Sequence, residues 1–245
     1  MHKQYGVVNQ DAVLFEQTDH YTIGVACDGV SLKSDRTFSS SEIASRFCTE
    51  AIMIYLRDHL KKNMTEREIL MAIYDALWSA DDGLRLLLKD LKISLYDCQT
   101  TALVFVYAKG RIYAGMAGDG GILYQCKDGE FGILQSRIKT GPNVDPICDH
   151  SGWRFGMAGS KGNPVWHVLM ATDGVFDALC QPAQDGMALN AEVLEAIFSL
   201  SAVRRNYRKK AFREIVEEIP SHDDKSAIVM IDPKNAPVIH KEQKN

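Results

Sequence analysis

Apolar positions along the chain fall into two kinds of run. Runs of six to eight residues, continuous or alternating, occupy 21–27, 101–108, 111–117, 121–126, 165–171 and 226–231 and predict β-strands. Two connections carry hairpin signals, Ala108-Lys109-Gly110 and Lys127-Asp128-Gly129, the second leading into EFGIL. Between the first two strands the spacing becomes helical. One helix is predicted from the serine cluster 39–41 through Ile43, Phe47, Ile52 and Tyr55 toward Leu60. A second starts at Thr65, with Glu68 completing a capping box, and carries Ile69, Ile73, Leu77, Leu84 and Leu88. Gly83 within it marks a candidate kink or break. Two further helices are expected over 190–200 and 203–218.

Strands interrupted by pairs of helices imply an α+β fold, with antiparallel sheets covered by helices rather than alternating βαβ units. No internal repeat is visible. A single domain is expected over 1–232, followed by a polar tail over 233–245. Residues 136–163 are polar, rich in Gly and Pro and without periodicity. That is long for a structureless connection, so a functional loop or lid is expected there.

Composition narrows the class. The 245 residues are 46% hydrophobic, enough for a substantial core, and the net charge of −4 argues against a nucleic-acid partner. No apolar segment approaches the roughly 18–20 residues that span a bilayer, and MHKQYGVV lacks a secretory apolar stretch, so no membrane association and a cytoplasmic location are expected. The six cysteines (Cys27, Cys48, Cys98, Cys126, Cys148 and Cys180) form no C-x-x-C pair and no zinc-finger spacing. Reduced, mostly buried thiols are expected, with Cys27 pointing away from its neighbour Asp28.

The candidate chemistry lies where apolar runs stop. IGVACDGV at 23–30, YAGMAGDGG at 113–121 and VLMATDGVFD at 168–177 each end in Asp-Gly, and SHDDKSAIVMI places Asp223 and Asp224 before the last strand. A lone Asp-Gly reads as a turn. Three at strand ends, with a late acidic pair, favour one shared site. Two carboxylates about 4 Å apart repel by about 4 kcal/mol at an effective dielectric near 20, so clustered acids need cations, and oxygen-only ligands suit Mg²⁺ or Mn²⁺. Each glycine is expected to permit a positive φ and a close carbonyl approach. Asp128-Gly129, without an apolar approach, reads as an ordinary hairpin turn.

The order of motifs resembles the metal-dependent protein phosphatases, the protein phosphatase 2C-like family, in a divergent bacterial-type branch. The elements are NQDA (9–12), ACDGV (26–30), SSEIAS (40–45), CQTTALVF (98–105), AGDGG (117–121), ATDGVFDAL (171–179) and HDDKSAIVM (222–230), which cover nearly the whole chain. The resemblance implies two antiparallel sheets packed as a central β-sandwich flanked by pairs of α-helices. It further implies a dinuclear Mn²⁺ or Mg²⁺ centre in which Asp28 bridges the ions, the Gly29 carbonyl ligates one, and Asp173 and Asp223 complete the other's shell. Asp119, with Asp173, matches the site of a third ion in bacterial members, which places Asp173 between the catalytic pair and that third ion. Asp11 matches an acid supporting the hydration shell, and Gln10 and Asp224 stand at supporting positions. The implied reaction is hydrolysis of phosphoserine or phosphothreonine in proteins by a water shared between the metals, without a phosphoenzyme, and opposed by a Ser/Thr kinase.

Several positions depart from the family pattern. Gly6 stands where a phosphate-binding Arg is usual, Gln10 replaces Glu, Val30 stands where some members carry His, and Asp224 replaces Asn. Phosphate binding must then fall elsewhere or be weak. His2 is the preferred candidate among His2, Lys3, Lys33, Arg36 and Lys225, and for any one of the five a solvated surface charge is the first reading. Arg137, Lys139, Arg154 and Lys161 make the 136–163 segment basic, suited either to steering phosphorylated substrates or to plain solvation. VRRNYRKKAFR at 203–213 reads first as a solvated helix face and second as a partner surface. Trp78, Trp153, Trp166 and His167 read as packing residues, and Thr100 and Thr101 as packing or hydrogen-bonding residues. The departures keep a non-catalytic, phosphoprotein-binding regulator open as the alternative to a phosphatase. A hydrolase of small phosphoesters would use the same centre.

Overall fold

Strand β2 (Thr22–Cys27) is buried at every position because both of its faces are covered. Ile23, Val25 and Cys27 face a helical layer, while Ala26 faces a second sheet. The computed structural model describes residues 9–30, 40–135, 144–183, 186–221 and 223–231. Around β2 it assembles a five-stranded antiparallel sheet that also contains β1 (Ala12–Gln17), β3 (Ala102–Ala108), β4 (Arg111–Ala117) and β7 (Arg154–Ala158), in the order β1-β2-β3-β4-β7. A four-stranded antiparallel sheet is formed by β5 (Gly121–Cys126), β6 (Phe131–Gln135), β8 (Val165–Ala171) and β11 (Ala227–Ile231), in the order β11-β8-β5-β6. Leu103, Phe105, Ile112 and Met116 from the first sheet meet Ile122, Val168, Met170 and Ile228 from the second, closing the sandwich.

Helices cover both outer faces. Helices α1 (Ser41–His59) and α2 (Glu66–Leu91) pack Ala44, Cys48, Ile52, Ile73 and Leu77 onto the first sheet. The second sheet is covered by α3 (Asp173–Leu179), α4 (Ala191–Phe198) and α5 (Arg205–Glu218), with Val175, Phe176, Leu194 and Ile197 against Leu123, Leu169 and Ala171. A small hairpin of β9 (Cys180–Ala183) and β10 (Gly186–Leu189) follows α3. The antiparallel sandwich flanked by helices is the expected architecture, and burial on both faces explains why its central strands read as continuous apolar runs.

The capping box forms as expected. Thr65 Oγ1 accepts from the Glu68 amide while Glu68 accepts from the Thr65 amide at 2.7 Å. Thr65→Ala is expected to cost about 1 kcal/mol and lower Tm by roughly 2–4 °C, checked by calorimetry. Gly83 does not break α2, which runs unbroken from Glu66 to Leu91. A side chain there would come within 2.9 Å of the Phe47 ring, so this glycine lets α1 and α2 approach closely. At Ala108-Lys109-Gly110 both central residues have positive φ, 50° and 80°, as a tight hairpin of this kind requires.

Two expectations are corrected. Residues 12–17 and 154–158, not anticipated as strands, are the two edges of the first sheet, and most of their side chains are exposed or half-buried. The 136–163 segment is therefore not one structureless loop: it contains a short 3₁₀ turn (His150–Gly152) and β7. Arg154 spends its guanidinium on the carbonyls of Ser151 and Trp153, both at 2.8 Å. Asp81, fully buried in α2, holds the same segment by accepting from His150 Nε2 at 2.7 Å, and within its own helix it accepts from Arg85 Nε at 3.0 Å. His2, Lys3, Lys33, Arg36, Arg137, Lys139 and the 233–245 tail lie outside the described residues.

Trp78 and Trp153 pack against each other and against the His150 ring. His167 is buried and stacks on Phe198. All six cysteines are free thiols, five of them buried. Burial pushes the Cys27 thiol up to about 12 and keeps it from acting as a nucleophile. Among the described residues no helix is long and apolar enough to cross a membrane.

Candidate metal centre

Strand register brings the acids to one end of the sandwich. Ala12 pairs with Cys27, so Asp11 and Asp28, the next residue outward on each strand, stand opposite each other at the edge of the first sheet. In the second sheet Ala171 pairs with both Gly121 and Ala227. Asp119, Asp173 and the Asp223-Asp224 pair, each just beyond one of these residues, therefore leave from that same end. Ala102 pairs with Ala117 and Ala26 with Leu103, which sets the Thr100–Thr101 and Gly118–Gly120 connections beside them.

Hydrogen bonds fix the backbone of Asp28. Its amide donates to Thr101 Oγ1 at 3.0 Å, and its carbonyl accepts from the Thr101 amide and Thr100 Oγ1, each at 2.8 Å. Thr100 and Thr101 thus act through hydrogen bonds, as expected. The Gly29 amide donates to the Gln10 carbonyl at 3.1 Å, and the Gln10 amide donates to Asp224 Oδ2 at 3.1 Å. Thr172, which the sequence reading missed, joins three segments. Its hydroxyl donates to Asp11 Oδ2 at 2.9 Å and accepts from the Ser226 amide at 3.3 Å, and its own amide donates to the Ser226 carbonyl at 3.0 Å. The signal for it was present: a buried threonine directly before a strand-end acid.

Electrostatics show how crowded the edge is. Burial pushes the Asp28 carboxyl up to about 11, reinforced by the charge of Asp11, by a hydrogen bond with Asp11, and by the charges of Asp173 and Asp223. Asp11 is raised as well, first by burial and against the hydrogen bonds it makes with Asp28, Ser226 and Thr172. Two facing carboxylates in a partly desolvated cleft cannot both ionise without a counter-charge. Asp119 is buried at the same edge, but the leading charges on Asp28 come from Asp11, Asp173 and Asp223.

The glycines of the Asp-Gly pairs act differently from the expectation. Among the described residues, positive φ occurs at Gly110, Gly118, Gly129 and Gly159, and so not at Gly29, Gly120 or Gly174. These three are required by close packing instead. A Cβ would lie 2.8 Å from Ser41 Cβ at position 29, 2.6 Å from the Ala171 carbonyl at position 120, and 1.9 Å from the Asp224 carbonyl at position 174. Nor does Asp173 enter a turn. It opens α3, where its carboxylate sits in the first helical turn. Asp128-Gly129 is the expected hairpin turn, with Asp128 Oδ1 accepting from the Glu130 amide at 3.0 Å.

The side chains gathered at this end are all oxygen donors: the carboxylates of Asp11, Asp173 and Asp223 around Asp28, with Asp119 buried at the same edge. By charge and donor type the set fits Mg²⁺ or Mn²⁺, because a cation replaces the proton that the Asp11–Asp28 pair otherwise retains. Among the described residues no three His, Cys, Asp or Glu side chains enclose a single point as a finished metal cage does. The fit is therefore one of charge and chemistry. Lys225, one of the alternative phosphate ligands, is engaged elsewhere. Its ammonium donates to the carbonyls of Glu217 (2.9 Å) and Ile219 at the C-terminal end of α5, where a cation also meets the negative pole of the helix.

The architecture is a two-sheet antiparallel sandwich with helices on both faces and acids gathered at one end of the strands. The chain belongs to the protein phosphatase 2C family: the family model described as Protein phosphatase 2C matches residues 1–216. Among solved structures it is similar to a bacterial serine phosphatase, at 12% identity over 91% of each chain with a TM-score of 0.61. It is also similar to PppA, a regulatory component of the T6SS in Pseudomonas aeruginosa, at 13% identity over 91% of this chain and 90% of that one (TM-score 0.58). The catalytic domain of the serine/threonine protein phosphatase PstP, solved with two manganese ions, is similar at 14% identity over 91% and 90% (TM-score 0.56). At these identities the likeness is one of fold. No curated protein matches the sequence at a significant level.

Proposed function

We propose that this protein is a divalent-metal-dependent phosphatase that hydrolyses phosphoserine or phosphothreonine in proteins. The observation that carries the reading is the gathering of Asp11, Asp173 and Asp223 around the strand-end carboxyl of Asp28, in a chain that the protein phosphatase 2C family model matches over residues 1–216. An edge built this way is arranged for a cation. Asp28, Asp173, Asp223 and the Gly29 carbonyl would hold two Mn²⁺ or Mg²⁺ ions, with Asp119 and Asp173 available to a third. Such ions, when bound, supply Lewis-acid chemistry, acidifying water and offsetting charge on phosphoryl oxygens. The chain's own residues orient these groups. Thr100 and Thr101 hold the Asp28 backbone, Thr172 holds Asp11, and Asp224 ties the Gln10 segment to the start of β11. The domain extends over 1–232 in this reading, and a Ser/Thr kinase supplies the substrate.

A regulator that binds phosphoproteins without turnover is the second reading. It is favoured by the Gly6, Gln10 and Val30 departures. Hydrolysis of p-nitrophenyl phosphate with and without Mn²⁺ separates the two, with Asp173→Asn as comparison. The phosphatase reading expects Mn²⁺-dependent turnover that Asp173→Asn removes while its melting temperature stays near wild type. Mn²⁺ binding by calorimetry with no turnover on this ester or on phosphopeptides would favour the regulator.

A further inference from the structure

Helix α5 carries the basic run of 203–213, yet its cations are not equivalent. Arg208 is spent on the carbonyls of Val203 (2.8 Å) and Ser201 (2.6 Å). Lys209, Lys210 and Arg213 instead line a groove of about 940 Å³ that Asn9, Asp223 and Asp224 also line. The groove therefore runs from the acidic edge to a cationic helix face. Its size is near the top of the range for small-ligand sites, about 300–1,000 Å³, and more than a lone phosphoryl group needs.

The cations are poorly engaged within the chain. Lys209 has no carboxylate partner among the described residues. Lys210 meets Glu214 at 3.7 Å and Arg213 meets Glu217 at 3.3 Å, all four side chains being more than half exposed. Exposed i,i+4 pairs contribute only about 0.3–0.5 kcal/mol, so an incoming anion displaces them readily. Lys209 and Arg213, four residues apart, lie on one helix face about 6 Å apart along the axis. That interval spans about two residues of extended peptide at roughly 3.3 Å each. On this helix face Lys209, Lys210 and Arg213 stand against the carboxylates of Glu214 and Glu217, an excess of one positive charge on a protein whose net charge is −4.

We propose that the α5 groove recognises acidic residues flanking the phosphorylated residue of a peptide, with Lys209, Lys210 and Arg213 setting a preference for acidic phosphopeptides. The inference rests on the phosphatase reading for the position of the phosphoryl group, at the Asp223 end. The cationic wall then takes carboxylates one or two residues away. Rim charges of this kind act mainly on encounter and selection rather than on the chemical step.

The test compares two phosphoserine peptides, one with glutamates and one with alanines around the phosphoserine. They are assayed with Mn²⁺ on the full chain and on two triple variants: Lys209→Gln, Lys210→Gln, Arg213→Gln, and Lys209→Glu, Lys210→Glu, Arg213→Glu. Wild type is expected to favour the acidic peptide at least about fivefold in kcat/KM, the sum of three weak exposed contacts. The ratio should fall to about one in the glutamine variant and invert in the glutamate variant. Fluorescence anisotropy with a labelled, unphosphorylated acidic peptide reads the groove without turnover, and its affinity should fall in the same order. If wild type hydrolyses neither peptide, the phosphatase reading fails and the anisotropy result decides the groove alone. Equal ratios, or equal peptide affinities, across the three proteins overturn the proposal.

Discussion

Asp28→Asn should abolish Mn²⁺-dependent phosphatase activity, by at least about a hundredfold on the scale of lost metal-site interactions, and yet stabilise the metal-free protein. The two effects have one cause. In the metal-free fold the Asp28 carboxyl is raised from its ordinary value to about 11 by burial and by the charges of Asp11, Asp173 and Asp223. Between pH of about 4 and about 11 the folded state thus holds a proton that the unfolded chain has released. Stability then falls as pH rises through this window, at no more than about 1.4 kcal/mol per pH unit, the slope of one proton. An amide cannot ionise and can donate to Asp11, so the variant escapes this loss. In EDTA the wild-type Tm should decline from pH 5.5 to 8.5 by several degrees, while the variant should change less and melt higher at pH 8.5. With Mn²⁺ present the order should reverse, since wild type gains the free energy of binding and the variant gains little. Parallel pH profiles for the two proteins in EDTA would show that Asp28 is not held neutral by its neighbours.

The second large effect is expected at Gly174. A Cβ there would lie 1.9 Å from the Asp224 carbonyl oxygen and 3.4 Å from Asp223 Cβ. Backbone cannot rotate away as a side chain can, so Gly174→Ala must push the 223–224 segment off the first turn of α3. Overpacking of this kind costs about 1–3 kcal/mol, a Tm loss of roughly 2–12 °C for a chain of this size. Mn²⁺ affinity should fall with it, because Asp223 moves with the segment. Gly162→Ala, at a position with nothing within 4 Å of an added Cβ and no positive φ, is the control and should leave both quantities near wild type. Wild-type Tm and Mn²⁺ affinity in Gly174→Ala would show that Asp224 does not pack where the structure puts it.

Both predictions depend on contacts between residues far apart in sequence, which marks the boundary of what a linear reading reaches. The sequence by itself determined the central strands, because a strand covered on both faces is apolar at nearly every position, as 21–27 and 165–171 are apart from Thr22 and His167. It determined α1 and α2 through their spacing and the Thr65–Glu68 box, and the family through motif order. Among the strands it missed, β1 and β7 are edges of the first sheet, where exposure erases the apolar pattern, and β9 and β10 form a short separate hairpin. Missing β1 hid the pairing of Ala12 with Cys27, and with it the opposition of Asp11 and Asp28 that, after burial, weighs most on the Asp28 carboxyl. Asp173-Gly174 illustrates the same limit. Locally it reads as a turn, but it opens a helix, and its glycine answers to a carbonyl fifty residues later in the chain. Thr172's three connections and the groove joining α5 to Asp223 were likewise decided only by tertiary structure. Periodicity records which face of an element is buried; register and packing record what it is buried against, and those distances exist only in the folded chain.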